Sequence, residues 1–231
     1  MKIVFTYYPI QNNNALTYLM FSIANLNRVG IVPVFYSDKN YFEGKLNVEW
    51  RMLEIEDEFK KDNLWSYPKL KVLSLIDFPF IHLDNDLIIK DYNKLLNKIN
   101  PNKLNLGYKH YLNDNQLNPI NYIWRKYYYG TDGLFELNNT CIIGSDDYIK
   151  VNNCYKNVLK IINNNIDFFY KKFENIPPIT LNQQYVSLFF TNNINYICDT
   201  NPEFDKLDLN GFAHISDKKK YSIFNMNPQL I

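Results

Sequence analysis

Residues 78 to 90 read Phe78-Pro79-Phe80-Ile81-His82-Leu83-Asp84-Asn85-Asp86-Leu87-Ile88-Ile89-Lys90. Asp84 and Asp86 interrupt an otherwise apolar run, and a run of that kind reads as a strand buried on both faces. Two anions at the end of a buried strand cost several kcal/mol unless a cation neutralises them. A divalent metal held by hard oxygens is the economical cation, and such a metal commonly carries a phosphate group. Asp84 and Asp86 are therefore expected to be metal ligands. An Asp-x-Asp triplet is common by chance, so the apolar brackets on both sides carry the reading.

The flanking sequence supplies the frame. Lys2 to Tyr8 is β-rich and is broken by Pro9 and the Asn run that follows. Leu16, Leu19, Met20, Ile23 and Leu26 recur at helical spacing, with Gly30 as a stop. Ile31 to Tyr36 is a second apolar run. This β–α–β order predicts a parallel pair with a right-handed crossover. A short strand is expected near Met52. Pro68 suits the first turn of a helix whose face carries Leu70, Leu73 and Ile76. A short helix is expected over 92–99 and a strand over 104–109. Residues 110–135 lack periodicity and read as a long loop or lid. A strand over 135–144 leads to a helical stripe at Tyr148, Val151, Tyr155, Val158 and Ile162. Thr180 and Gln183 fit a capping box, and late strands are expected over 194–198 and 211–215.

Size and charge bound the function. A chain of 231 residues that is 46% hydrophobic suits one large α/β domain, expected here to span residues 1–231. A formal net charge of +1 gives no overall field for nucleic acid. Cys141, Cys154 and Cys198 are widely spaced and form no CxxC pair, which argues against a disulfide framework or zinc site. The longest apolar stretch near the start, residues 15–24, is too short to span a bilayer and lacks a basic flank. A cytoplasmic location is expected, with peripheral membrane association through a partner left open.

Further motifs fall in order along the chain. Trp65-Ser66-Tyr67-Pro68-Lys69 precedes the Asp84 strand. Asn139-Thr140-Cys141-Ile142-Ile143-Gly144, Gln183-Gln184 and Phe212-Ala213-His214-Ile215-Ser216-Asp217-Lys218-Lys219 follow it. Together these resemble the GT-A-fold glycosyltransferases with an Asp-x-Asp motif, of the small family 8-like type. The resemblance implies an α/β fold: a GT-A-like (Rossmann-like) domain with a mostly parallel mixed central sheet flanked by helices. It implies transfer of a sugar from a nucleotide-diphosphate donor, expected to be UDP-linked, to a glycan or lipid-linked acceptor, with Mn²⁺ or Mg²⁺. His214 would join Asp84 and Asp86 as a metal ligand, and its nitrogen favours Mn²⁺. Lys218 would face the diphosphate as a point charge. Lys69 and Asn85 would contact the donor, and Gln184 and Asn139 would orient sugar or acceptor hydroxyls.

An α/β fold places its ligand at the carboxyl ends of the strands. That puts Thr6, Tyr7 and Tyr8 at a nucleotide base and Asp38 at a base or ribose. An inverting reaction needs a carboxylate base, for which Asp146 and Asp147 are candidates; a retaining one needs none. Two other readings stand beside the transferase. A nucleotidyltransferase on a related fold would need a Gly-rich phosphate loop after the first strand, and residues 9–14 contain no Gly. A non-catalytic sugar- or nucleotide-binding scaffold is the other.

Overall fold

Residues 80–83 form the strand expected of them, β4 (Phe80–Leu83), with all four residues buried. Alternation along β4 splits them between two cores. Phe80 joins Val4, Val34, Leu70, Leu73, Val151 and Tyr155 on one face of the sheet. Ile81 and Leu83 join Ile3, Phe5, Leu19, Ile23 and Phe35 on the other. A strand buried at every position is therefore covered on both sides, as in a three-layer α/β/α arrangement. A computed structural model describes residues 1–9, 14–60, 66–110, 137–164, 193–199 and 207–214.

The elements are β1 (Lys2–Thr6), α1 (Asn14–Arg28), β2 (Val34–Ser37), β3 (Glu49–Met52), a 3₁₀ turn (Asp57–Phe59), α2 (Tyr67–Leu75) and β4. They continue with β5 (Leu87–Ile89), α3 (Tyr92–Leu96), β6 (Leu104–His110), β7 (Leu137–Ser145), α4 (Tyr148–Asn163), β8 (Ile194–Tyr196), α5 (Leu207–Asn210) and β9 (Phe212–His214). The main sheet has the order β3-β2-β1-β4-β7-β6-β8. Among the described residues only β7 runs against its neighbours, β4 and β6; the other four pairings are parallel. This is the mostly parallel mixed sheet expected of a GT-A-like fold. The second strand starts at Val34 rather than Ile31, directly after Pro33, which has no N–H to give a ladder.

The second apolar triplet, Leu87-Ile88-Ile89, leaves the main sheet and pairs antiparallel with β9. Helix α1 grips it. Ser22 Oγ donates to Leu87 O at 2.9 Å and accepts from Ile89 N–H at 3.2 Å, and Asn25 Nδ2 donates to Ile89 O at 2.7 Å. Gly211 takes φ 77°, and a Cβ there would lie 2.7 Å from Asp91 O. Only glycine lets the turn before β9 approach so closely. The chain between β4 and β5 is thus held at both ends, and that chain is Asp84-Asn85-Asp86.

Asp91 caps α3, accepting from Asn93 N–H and Lys94 N–H. Among the described residues no helix is long and apolar enough to cross a membrane. The expected lid (from residue 111 onward) and the Thr180–Gln183 capping box lie outside the described residues.

Candidate functional site

Strand register sets the site. Val4 pairs with His82, so Thr6 stands level with Asp84; Thr6 pairs with Tyr36, so Tyr8 stands level with Asp38. Three parallel strands thus end in one row, with Thr6, Asp38 and Asp84 at their carboxyl termini. The Asp84-Asn85-Asp86 turn is half-buried. Asp84 N–H donates to Cys141 O at 2.8 Å, and Leu87 N–H donates to Asp84 O at 3.1 Å. Both bonds fix the turn against β7 and the start of β5.

A cation already sits beside the twin acids. Lys69, in the first turn of α2, places Nζ 2.5 Å from Asp84 Oδ1 and 2.5 Å from Thr140 O, with Thr140 Oγ1 at 3.3 Å. Its side chain is 10% exposed. Pro68 starts the helix and Lys69 reaches inward from it, so α2 is buried almost all round rather than on one stripe. The sequence places Lys69 on the donor; the structure engages its ammonium with Asp84 and the Thr140 carbonyl.

His82 is a site neighbour that sequence reasoning missed. It is 1% exposed. Its Nε2 lies 3.0 Å from Thr6 Oγ1, and Nδ1 lies 4.0 Å from Asp84 Oδ1. Nδ1 is buried with no hydrogen-bond partner among the described residues. Burial, then the Lys69 charge, holds the imidazole well below the usual histidine range, so it is neutral. The signal was parity: His82 and Asp84 are two residues apart on one strand and share a face. Thr6, expected at a base edge, is buried with its hydroxyl on this histidine.

On the other flank of the row, Tyr7 is buried and its ring meets Tyr41 edge-on at 5.0 Å. Burial raises the Tyr41 hydroxyl above its ordinary range, and a hydrogen bond with Asp38 adds to it. Tyr7 is raised by burial and then by the Asp38 charge. Asp38 Oδ1 is buried without a hydrogen-bond partner among the described residues. Tyr8 is partly buried against the core beneath. The structure thus gathers Tyr7, Asp38 and a residue the sequence did not mark, Tyr41.

Asn139 lies on β7 beyond the Asp84 turn. Its Nδ2 donates to Tyr108 Oη at 3.0 Å and its Oδ1 accepts from Cys141 N–H at 2.8 Å, so both ends of the amide are engaged. The Tyr108 hydroxyl is raised by burial, then by Cys141, Asp86 and Asp84. The Cys141 thiol is raised well above its ordinary range by burial and then by Asp84. A thiol so placed stays protonated and takes no part as a nucleophile.

The reading of Asp146 and Asp147 as bases is corrected. Because β7 runs antiparallel to β4, Ser145 pairs with Phe80 while Ile142 pairs with Leu83. The two aspartates follow Ser145, at the end of the sheet opposite Asp84. Asp147 caps α4 instead, accepting from Lys150 N–H at 3.0 Å.

For a divalent metal the donor set has the right chemistry. Asp84 and Asp86 offer hard oxygens, and Asn85 Oδ1 is buried without a hydrogen-bond partner among the described residues. The backbone of His214 pairs with Leu87, one residue from Asp86. Its side chain lies outside the described residues, as do Gln184 and Lys218. Among the described residues no group of three or more His, Cys, Asp or Glu side chains forms a ligand cluster.

No family model and no curated protein sequence matches the chain. Solved structures do. The glycosyltransferase GlyE of Streptococcus pneumoniae TIGR4 superposes with TM-score 0.50 at 13% identity, over 94% of this chain and 55% of that one. The galactosyltransferase LgtC, in complex with donor and acceptor sugar analogs, gives 0.50 at 14% identity over 93% and 86%. A glycosyltransferase involved in glycosylation of the major capsid of PBCV-1 gives 0.52 at 13% identity over 97% and 98%. The chain spans just over half the length of GlyE. At such identities the likeness speaks for architecture: the chain has the GT-A-like fold of glycosyltransferases.

Proposed function

We propose that residues 1–231 act as one transferase domain in the cytoplasm. It moves a sugar from a UDP-linked donor to a glycan or lipid-linked acceptor, with Mn²⁺ or Mg²⁺ as cofactor. One observation carries the reading. On a chain with this fold, the half-buried Asp84-Asn85-Asp86 turn stands at the carboxyl end of β4, in the same row as Asp38 and its two tyrosines.

In this reading Asp84 and Asp86 hold the metal with His214, and Asn85 lies against the donor. A bound metal would supply Lewis-acid stabilisation of the diphosphate leaving group. Asp38 accepts from the nucleoside beside Tyr7 and Tyr41, and Tyr8, on the other face of the same strand end, contacts the donor. Thr6 acts through His82, and Lys69 holds the Asp84 carboxylate in place. Lys218 faces the diphosphate; Gln184 and Asn139 border the sugar and the acceptor.

The Lys69–Asp84 pair favours a second reading. A resident ammonium already offsets one of the two carboxylates, which suits a nucleotide-binding scaffold that needs no metal. Calorimetric titration of UDP with and without Mn²⁺, followed by a donor-hydrolysis assay, separates the readings. Mn²⁺-dependent binding with slow donor hydrolysis is expected. Metal-indifferent binding without turnover of any UDP-sugar selects the scaffold. No UDP binding at all overturns both.

A further inference from the structure

Strand β3 ends the main sheet. Glu49 N–H bonds Pro33 O and Leu53 N–H bonds Ser37 O, each at 2.9 Å. The amides of Glu49, Arg51 and Leu53 therefore face β2, and those of Trp50 and Met52 face outward. Among the described residues no strand pairs with that outer edge. Edges of this kind are normally blunted by charge, Pro or a bulge; residues 48–52 have no Pro and keep a regular register, and their two charges, Glu49 and Arg51, are of opposite sign.

The edge is self-complementary. Alternation puts Val48, Trp50 and Met52 on one face and Glu49 and Arg51 on the other. Trp50 is 36% and Met52 56% exposed, large values for such side chains in a strand. The indole is already fixed, since Trp50 Nε1 donates to Ser37 Oγ at 3.1 Å. A pre-positioned aromatic loses little freedom on being covered. On the opposite face Glu49 Oε1 accepts from Arg51 Nη2 at 2.7 Å and Glu49 Oε2 from Lys2 Nζ at 2.7 Å, while Arg51 Nη1 lies 3.6 Å from Asp77 Oδ1.

Antiparallel pairing of this strand with itself, centred on Trp50, uses all these features at once. Trp50 exchanges both of its outward backbone bonds with Trp50 of a second copy. Met52 then lies opposite Val48 of that copy, which makes one continuous apolar row across both strands. Glu49 lies opposite Arg51 in both directions, which makes an alternating run of charges on the other face. Slipping the register by two residues sets like charge against like or leaves a charge facing nothing.

We infer that the outer edge of β3 binds a second copy of this chain about a two-fold axis, joining the two main sheets into one. Isologous contacts require this kind of self-matching patch. The occupant is specified by the charge order, because an unrelated strand has no reason to present Arg and Glu in the reverse sequence.

Sedimentation velocity on the full chain over a concentration series tests this. A monomer–dimer equilibrium is expected. Glu49→Arg alone and Arg51→Glu alone each raise the dissociation constant by about tenfold or more, because each places like charges opposite one another twice. Both positions are partly exposed, and urea unfolding of each variant verifies that the fold is kept, because Glu49 also pairs with Lys2 and Arg51 with Asp77. Mixing the two variants restores association as a heterodimer. One chain then presents arginine at both positions and the other glutamate at both, so every facing pair is again of opposite charge. A wild-type chain that stays monomeric up to about 1 mM overturns the inference. So does a dimer indifferent to the single reversals, or a mixture that fails to recover.

Discussion

Lys69 Nζ and Asp84 Oδ1 stand 2.5 Å apart, with the lysine side chain 10% and the aspartate 26% exposed. The pair joins the first turn of α2 to the end of β4 and leaves Asp86 as the second acid of the turn. Asp84 and Asp86 are thus unequal in a way their symmetric spacing hides.

That inequality separates two substitutions. Asp86→Asn is expected to abolish Mn²⁺-dependent UDP binding while leaving the Lys69–Asp84 pair in place. Asp84→Asn is expected to do the same and also to destabilise the fold by about 3 kcal/mol, because it leaves a buried ammonium unpaired. Calorimetry with UDP and Mn²⁺ and urea unfolding of both variants check this. A loss below about 1 kcal/mol in Asp84→Asn would show that the ion pair does not hold the turn.

Lys69→Met removes the cation from Asp84 and the donor from Thr140 O. A loss of about 3 kcal/mol is expected, at the low end for breaking a buried pair because Asp84 is partly exposed. The urea midpoint should fall with the slope unchanged. Mn²⁺ affinity of the variant should rise, since the ammonium no longer competes for Asp84.

Stability should depend on pH through His82. Its folded pKa is depressed well below 6.5 by burial and by Lys69. Above 6.5 both folded and unfolded forms are neutral and the group contributes no slope. As pH falls below that value, the unfolded chain takes up a proton that the folded one refuses. Stability then falls by up to about 1.4 kcal/mol per pH unit, until the folded pKa is reached. His82→Gln should remove that part of the slope. Unfolding midpoints between neutral and mildly acid pH measure it, and an unchanged slope in the variant would refute the assignment.

Gly144→Ala should damage the fold and the site together. Gly144 pairs with Ile81, and a Cβ there would run into the Phe80 carbonyl and come within 2.7 Å of Ile81 Cα. Backbone has no room to yield in the middle of β4–β7, so a loss of about 3 kcal/mol or more is expected. Thermal unfolding reads it directly.

Asp38→Ala is expected to weaken UDP binding by about tenfold and to lower stability by about 1 kcal/mol, because the Tyr41 hydroxyl loses its carboxylate partner. Unchanged UDP affinity would remove Asp38 from the nucleoside site.

Much of the architecture is written in local pattern. The largely apolar run at 80–83 required cover on both faces, and the β–α–β order at the start required a parallel pair. Gly144, quoted as part of a motif, proved to be a packing requirement at the β4–β7 contact. What periodicity could not supply was partnership across the sheet. Lys69 reads as a donor contact near a helix start, and only the approach of α2 to the end of β4 turns it onto Asp84. Asp146 and Asp147 look adjacent to a site strand, but the antiparallel course of β7 carries them to the far end.

The order of residues was enough to set the layer structure and the acid turn, because burial and strand alternation are properties of neighbours in the chain. Which charges meet, which histidine lies beneath the acids and which sheet edge has no partner among the described residues came only from the folded arrangement. Those depend on strand order and register, and contacts between segments tens of residues apart leave no periodic trace in a single sequence.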